Sequence, residues 1–356
     1  MDVNVFLEFD INLPYITPDI PGIGGRIKAR PECFIVEEIP SYKPLGRGKH
    51  LYISITKELM TTRELQERLA RLFNRHPSHI GLSGLKDKHA RTTQTFSLHM
   101  GLNGPEFMDE AIKIIEERLP VKVNWAGLHP SKLRRGHLEG NRFEIIITEI
   151  DGDRSEAVER SKDVADRLLT RGVPNFYGTQ RTGNNGDNIV KGFQIISGER
   201  RIGDKWLRRF LISSYLSHLC NQYLKRRIEL GLFDRLLRGD LTMKHDTGGV
   251  FWVKELDKEQ KRYEEKEISF TAPIYGSKMR WARRKSSELE EKILDESGIT
   301  LRQLDELKVR GTRRLGRLIP EVKVQQHPKG VKLSFDLPKG AYATVVLREF
   351  IKSKEI

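Results

Sequence analysis

Asp87 stands between two lysines in the stretch SGLKDKHARTT, Ser83 to Thr93, with His89 and Arg91 just beyond. Charge from Lys86, Lys88 and Arg91 would favour an ionised carboxylate, ready to act as nucleophile or base. The same residues also make an ordinary solvated turn, since exposed ion pairs contribute little. By themselves these residues leave both readings open.

A second stretch, HPSKLRRGHLEGNRFEIIITEI, places Lys132, Arg134, Arg135 and Arg142 around Glu139. Cations on a turn-rich segment suit phosphate contacts. Gly136 and Gly140 are expected to break the segment into turns, with a strand from Phe143. Asn141 and Phe143 then share one side of an extended backbone. An amide beside an aromatic ring can hydrogen-bond and stack a nucleobase. Phe143 can equally be core, continuing the face of Ile145 and Ile147. RIGDKWLRRF, rich in cations against Asp204, could hold RNA or form an exposed basic helix. VPNFYGTQRTGNNGDN, with Arg181, reads as a functional or simply a long loop.

Other chemistries lack their context. Gly22, Gly24 and Gly25 follow Pro21 and precede no helical pattern, so a turn fits them better than a dinucleotide or methyl-donor loop. There is no P-loop and no nucleophile elbow. His76 and His79 have no further ligands at metal spacing and read as a surface turn.

These residues must be positioned by a chain of 356 residues, enough for about two domains. Lys and Arg number 63 against 49 Asp and Glu, a formal charge of +14. Such a surplus favours a polyanionic partner, nucleic acid or an anionic membrane. Cys33 and Cys220 are the only cysteines, which fits a reducing compartment. The opening MDVNVFLEFDINLP has acids where a signal peptide needs a basic region, and no stretch reaches the length of a membrane span. The expectation is a soluble cytoplasmic protein.

HLYISITKE alternates, with Leu51, Ile53 and Ile55 on one face, and predicts a strand. In TTRELQERLARLFNR, Thr61 and Glu64 have capping-box spacing, and Leu65, Leu69, Leu72 and Phe73 form a helical stripe. The Asp87 stretch is a loop leading into the alternating TQTFSLHM. A helix is expected from about Asp153 to Gly172, and mostly helical chain from about 176 to 315. VKLSFDLP predicts a strand and AYATVVLREFIKS a helix. Mixed structure at both ends of a helical middle suggests an α+β domain interrupted by an insertion.

Five motifs, in order and over nearly the whole chain, resemble the TruD family of tRNA pseudouridine synthases, here as an archaeal-type member. SGLKDKHARTTQ resembles that family's catalytic-aspartate motif. KARPECFIVEEIP, HPSKLRRGHLEGNRF, GVPNFYGTQRTG and LPKGAYATVVLRE resemble four others. The resemblance implies a pseudouridine-synthase domain of α+β class with a mixed antiparallel sheet (1–158 and 320–356) and a largely helical TruD-specific insertion (159–319). It implies Asp87 as catalytic nucleophile, Asn141 orienting its carboxylate, and Phe143 stacking on the target base. Lys28, Glu32, Phe34, Lys86, Lys88, His89, Lys132, Arg134, Arg135 and Arg181 are implied substrate contacts. Cys33 departs from the family's usual Asp, and NFYG reverses two aromatics. The implied partner is tRNA, with uridine at position 13 the expected target. No metal, nucleotide cofactor or membrane is expected, and the chain is expected to be a monomer. The competing readings are a non-catalytic RNA-binding protein of the same fold and an RNA methyltransferase, the latter disfavoured by the missing glycine-loop context.

Overall fold

A computed structural model describes residues 9–100, 106–183 and 185–353. The first eight residues, on which the leader reading partly rests, lie outside the described ones. The chain divides into two compact units: the described parts of Ile20–Asp166, Pro320–Ala343 and Phe350–Ile356, and those of Met1–Asp19, Arg167–Ile319 and Thr344–Glu349.

The first unit is built on a nine-stranded sheet. Its main path runs Lys323–His327, Gly330–Pro338, Leu138–Ile150, Phe34–Pro40, Arg91–His99, His50–Lys57, Val121–His129. Gly24–Arg26 joins beside Leu138–Ile150, and Gly81–Leu82 beside Arg91–His99. Among the described residues every pairing in this sheet is antiparallel except one. Phe34–Pro40 and Arg91–His99 run parallel, with Ile35 opposite Arg91 and Glu37 opposite Thr93.

Alternation decides which face is buried. Leu51, Ile53, Ile55, Phe96 and Leu98 pack with Leu65 and Leu69 of helix Thr62–Leu72 and with Ala111 and Ile115 of helix Glu106–Arg118. The Thr61 side chain caps the first helix by accepting from the Glu64 amide at 3.0 Å. The Glu64 carboxylate turns to Arg68 at 2.7 Å, so only half of the expected capping box is seen.

The sequence reading placed a turn at Gly140 and began the strand at Phe143. The strand begins earlier, spanning Leu138–Ile150. Gly140 lies inside it because a Cβ there would sit 2.2 Å from the Leu337 carbonyl oxygen of the neighbouring strand. Gly140 therefore serves close strand approach. Gly25 does likewise: its Cβ would meet Ile147 and the Thr148 carbonyl at 2.7 Å.

The second unit centres on helix Lys205–Glu229, accompanied by Asp187–Ser197, Leu256–Glu264 and Lys285–Asp295. It also holds a four-stranded sheet, in the order Val250–Trp252, Leu241–Lys244, Ile268–Ile274, Thr312–Leu315, which the sequence reading did not foresee. These strands are short and mostly lack a polar–apolar alternation. Ile268–Ile274 is buried on both faces over most of its length, a pattern that periodicity cannot tell from a buried helix. Arg227 is fully buried and pairs with Asp240 through two bonds of 2.9 and 3.1 Å. It also donates to the Leu232 and Arg235 carbonyls and lies 3.9 Å from the Phe270 ring centroid. Among the described residues no helix is long and apolar enough to cross a membrane.

Removing one partner of a buried pair leaves the other charge without compensation. Asp240→Ala is expected to lower the free energy of unfolding by about 3–5 kcal/mol. Urea denaturation measures this, and a change below about 1 kcal/mol would contradict the accounting.

Candidate active site

The single parallel pairing sets the geometry. Parallel strands start at the same end of a sheet, so the segments leading into Phe34 and Arg91 emerge side by side. One carries Lys28 and the other Asp87. His50–Lys57 runs antiparallel to Arg91–His99 and brings its last residue, Lys57, opposite Thr92. Three segments distant in sequence thus converge on one edge of the first unit.

The Lys28 ammonium donates to Asp87 Oδ2 at 2.9 Å. Asp87 is 39% exposed and Lys28 24%. Lys28 also lies 4.7 Å from the centroid of the Phe34 ring, which is buried. Its backbone has φ 58°, a left-handed conformation uncommon outside glycine. A non-glycine residue held there costs on the order of 1–3 kcal/mol, and such positions cluster at functional sites.

The loop itself is tied at its main chain. Lys57 Nζ donates to the Asp87 carbonyl at 3.2 Å and to the Met60 carbonyl at 2.6 Å. The Lys86 amide donates to Thr62 Oγ1 at 2.8 Å, and Thr62 donates to Gln94 Oε1 at 2.8 Å. Gln94 donates in turn to the Gly84 carbonyl at 3.3 Å, and the Gly136 amide donates to the Ser83 carbonyl at 2.8 Å. The carboxylate therefore stands on a backbone held from several elements.

Beneath it lies a buried polar network. Lys86 Nζ sits 3.5 Å from a Glu38 oxygen, the two side chains 5% and 1% exposed. Lys86 also donates to Asn141 Oδ1, and Ser83 Oγ donates to Glu38. The Thr95 amide donates to the second Glu38 oxygen at 3.3 Å. Burial holds the Lys86 ammonium below the usual lysine range, and the Glu38 carboxylate opposes that shift.

Of the residues singled out from sequence, Asp87, Lys28, Phe34, Lys86 and Asn141 thus come together. Asn141 is bonded to Lys86, the residue before Asp87, and not to the Asp87 carboxylate itself. Phe143 is 6% exposed, and its ring stacks on Phe335 at 5.4 Å with an interplanar angle of 27°. It is a core side chain here, and a base could reach only the edge left uncovered. Glu32 lies 3.6 Å from Lys329 and 3.9 Å from Arg30. Lys88, His89, Arg134 and Arg135 are exposed. Lys132 donates to the Ser78 carbonyl, and Arg91 pairs with Glu58. Arg181 belongs to the second unit, in the short helix Thr179–Thr182 within the expected loop. Cys33, where the family motif has Asp, is a buried free thiol.

Sequence reasoning missed Lys57, Glu38, Thr62 and Gln94. For all but Thr62 the signal was present. Lys57 continues the face of Leu51, Ile53 and Ile55, Glu38 that of Phe34 and Val36, and Gln94 that of Phe96 and Leu98. A polar residue ending an otherwise buried apolar row needs a partner. Among the described residues no group of three or more His, Cys, Asp or Glu could hold a metal ion.

Two outcomes are expected. Burial pushes the Lys57 ammonium down from 10.5 to about 8, against the pull of Asp87 and with the push of Lys86. Between these values the unfolded chain keeps a proton that the folded chain releases, so the Lys57 contribution to stability rises with pH. Lys57→Met abolishes this titration. Its melting temperature, relative to the unsubstituted chain, should fall as pH is raised through that window; a pH-independent difference would contradict the assignment. Phe143→Ala is expected to lower unfolding free energy by about 3–5 kcal/mol, the loss typical of a core phenylalanine. A loss below about 1 kcal/mol in denaturant titration would remove Phe143 from the core.

The family model described as tRNA pseudouridine synthase D (TruD) matches residues 10–202 and 200–350. A tRNA pseudouridine synthase D from Thermus thermophilus is 42% identical over 95% of this chain and 92% of its own. One from Anaeromyxobacter dehalogenans is 36% identical over 96% of this chain and 97% of its own. A crystal structure from Methanosarcina mazei, described as a putative tRNA pseudouridine synthase D, covers 96% of each chain with a TM-score of 0.73 at 25% identity. With the aspartate motif, the sheet and these relatives in agreement, the chain belongs to the TruD family of tRNA pseudouridine synthases.

Proposed function

We propose that this chain isomerises uridine to pseudouridine in tRNA, with uridine at position 13 as the target and Asp87 as the reacting carboxylate. The observation that carries this reading is the Asp87 site itself. Its carboxylate is partly exposed, one oxygen is paired with Lys28, and its backbone is tied by Lys57. An ion-paired carboxylate on a held loop suits nucleophilic or base chemistry better than a solvated turn does.

The reaction breaks the uracil N1–C1′ bond and forms C5–C1′. C5 gives up a proton and N1 gains one, so no net redox change occurs. The carboxylate serves as nucleophile at C1′ or C6, or as the base that starts elimination; each route uses an oxygen in the same place. Lys86, Glu38 and Asn141 act as positioning residues beneath the loop. Exposed Lys88, Arg134 and Arg135 supply phosphate contacts, which fix the RNA without reading its bases. The target base must leave its stack to react. We take Phe143 as packing that supports the Asn141 strand, with only its exposed edge available to the base. The first unit is assigned as the catalytic domain and most of the second as the family's insertion.

Asp87→Asn is expected to abolish pseudouridine formation on unmodified tRNA while changing tRNA affinity by less than about threefold, since it removes no cation. Product is read by chemical labelling of pseudouridine, which has the mass of uridine. Turnover by the variant at the unsubstituted rate would overturn the assignment. A mass increase in the RNA would point to methyl transfer instead.

A further inference from the structure

The basic segment around Trp206 has no part in the Asp87 site and lies wholly in the second unit. Trp206 is 69% exposed, more than any other large hydrophobic side chain among the described residues. Its ring is stacked on Phe210, one helical turn later, with centroids 5.6 Å apart and an interplanar angle of 7°. Neither ring sits on a loose loop. Asp204 caps helix Lys205–Glu229 by accepting from the Trp206 and Leu207 amides at 2.7 and 3.0 Å. Beside Phe210, the Arg181 guanidinium lies 5.7 Å from the Phe210 centroid and 5.8 Å from that of Tyr177, and its buried Nε has no hydrogen-bond partner among the described residues.

Lys205, Arg208 and Arg209 are exposed on the same helical turns, and none has a side-chain partner among the described residues. The nearby acid, Asp204, is committed to the cap. A flat aromatic face in water, flanked on its helix by the unpaired Lys205 and Arg209 one turn apart, fits a ligand that is planar and apolar in one part and anionic in another. An unpaired nucleotide is such a ligand; a duplex hides its base faces. A membrane-surface helix would need an extended apolar face. Here the residues after Phe210 are mostly buried within the unit, leaving one exposed turn.

We propose that Trp206, backed by Phe210, is a stacking platform for an unpaired base of the RNA, with Lys205 and Arg209 holding the adjoining phosphates. The choice of tRNA as probe rests on the function proposed above; the site does not. The test measures binding of the full chain to unmodified tRNA and to oligouridylate over a range of salt concentrations.

Trp206→Ala is expected to weaken both interactions about 5- to 150-fold while leaving the salt slope as it was. Trp206→Phe should recover most of the loss. Lys205→Ala with Arg209→Ala should reduce the slope of log Kd against log salt by about 2. Quenching of indole fluorescence on binding should be smaller in Trp206→Phe than in the unsubstituted chain. Unchanged RNA affinity in Trp206→Ala, with its helix content intact by circular dichroism, would overturn the platform. So would unchanged RNA affinity accompanied by lost binding to anionic vesicles or lost self-association. A chain that makes no pseudouridine but still needs Trp206 for RNA binding would sink the proposed function and leave the platform standing.

Discussion

One parallel pairing in an otherwise antiparallel sheet organises the candidate active site. Had Phe34–Pro40 run antiparallel to Arg91–His99, the approach to Phe34 would lie at the far end from Asp87. The Lys28–Asp87 contact at 2.9 Å would then be out of reach. A parallel pair also requires a long crossover between its strands. The chain fills it with His50–Lys57, helix Thr62–Leu72 and the Asp87 loop, so the crossover itself delivers Lys57 and Thr62 to the cluster.

The charges at this edge are arranged unequally. Lys86 and Glu38 are almost fully buried and hydrogen-bonded on several sides. A buried pair of this kind contributes little net stability, because desolvation offsets the attraction. What it can do is select one position for the loop, since displacing Lys86 would leave Glu38 unpaired. Asp87 lies above this network and is far more exposed. A fixed charge pair below and a more accessible carboxylate above divide this edge into a held layer and an open one.

Much of this was legible in the sequence, and the limits have physical causes. Alternation in HLYISITKE, TQTFSLHM and VKLSFDLP located strands because each has one apolar row. Asp87 was singled out because its neighbours are unusual in composition and match a family motif. Lys28 was singled out through the family resemblance alone, and its pairing with Asp87 was not foreseen, because it lies far away in sequence and only strand pairing brings it near. Lys86 was expected to act on Asp87, yet its ammonium turns to Glu38 and Asn141, a choice set by burial. Gly140 was read as a turn because local sequence does not show that a second strand passes 2.2 Å from where its Cβ would be. The short strands of the second unit escaped for want of periodicity.

The pairing of Ile35 with Arg91 also has a kinetic consequence. Contacts between residues distant along the chain close large loops, and their entropy must be lost before the contacts reward it. Helix Thr62–Leu72 and its cap can form from local interactions, whereas the Lys28–Asp87 ion pair cannot precede the sheet. In a growing or refolding chain, the loop bearing Asp87 would therefore remain without its ammonium partner until the central strands have met.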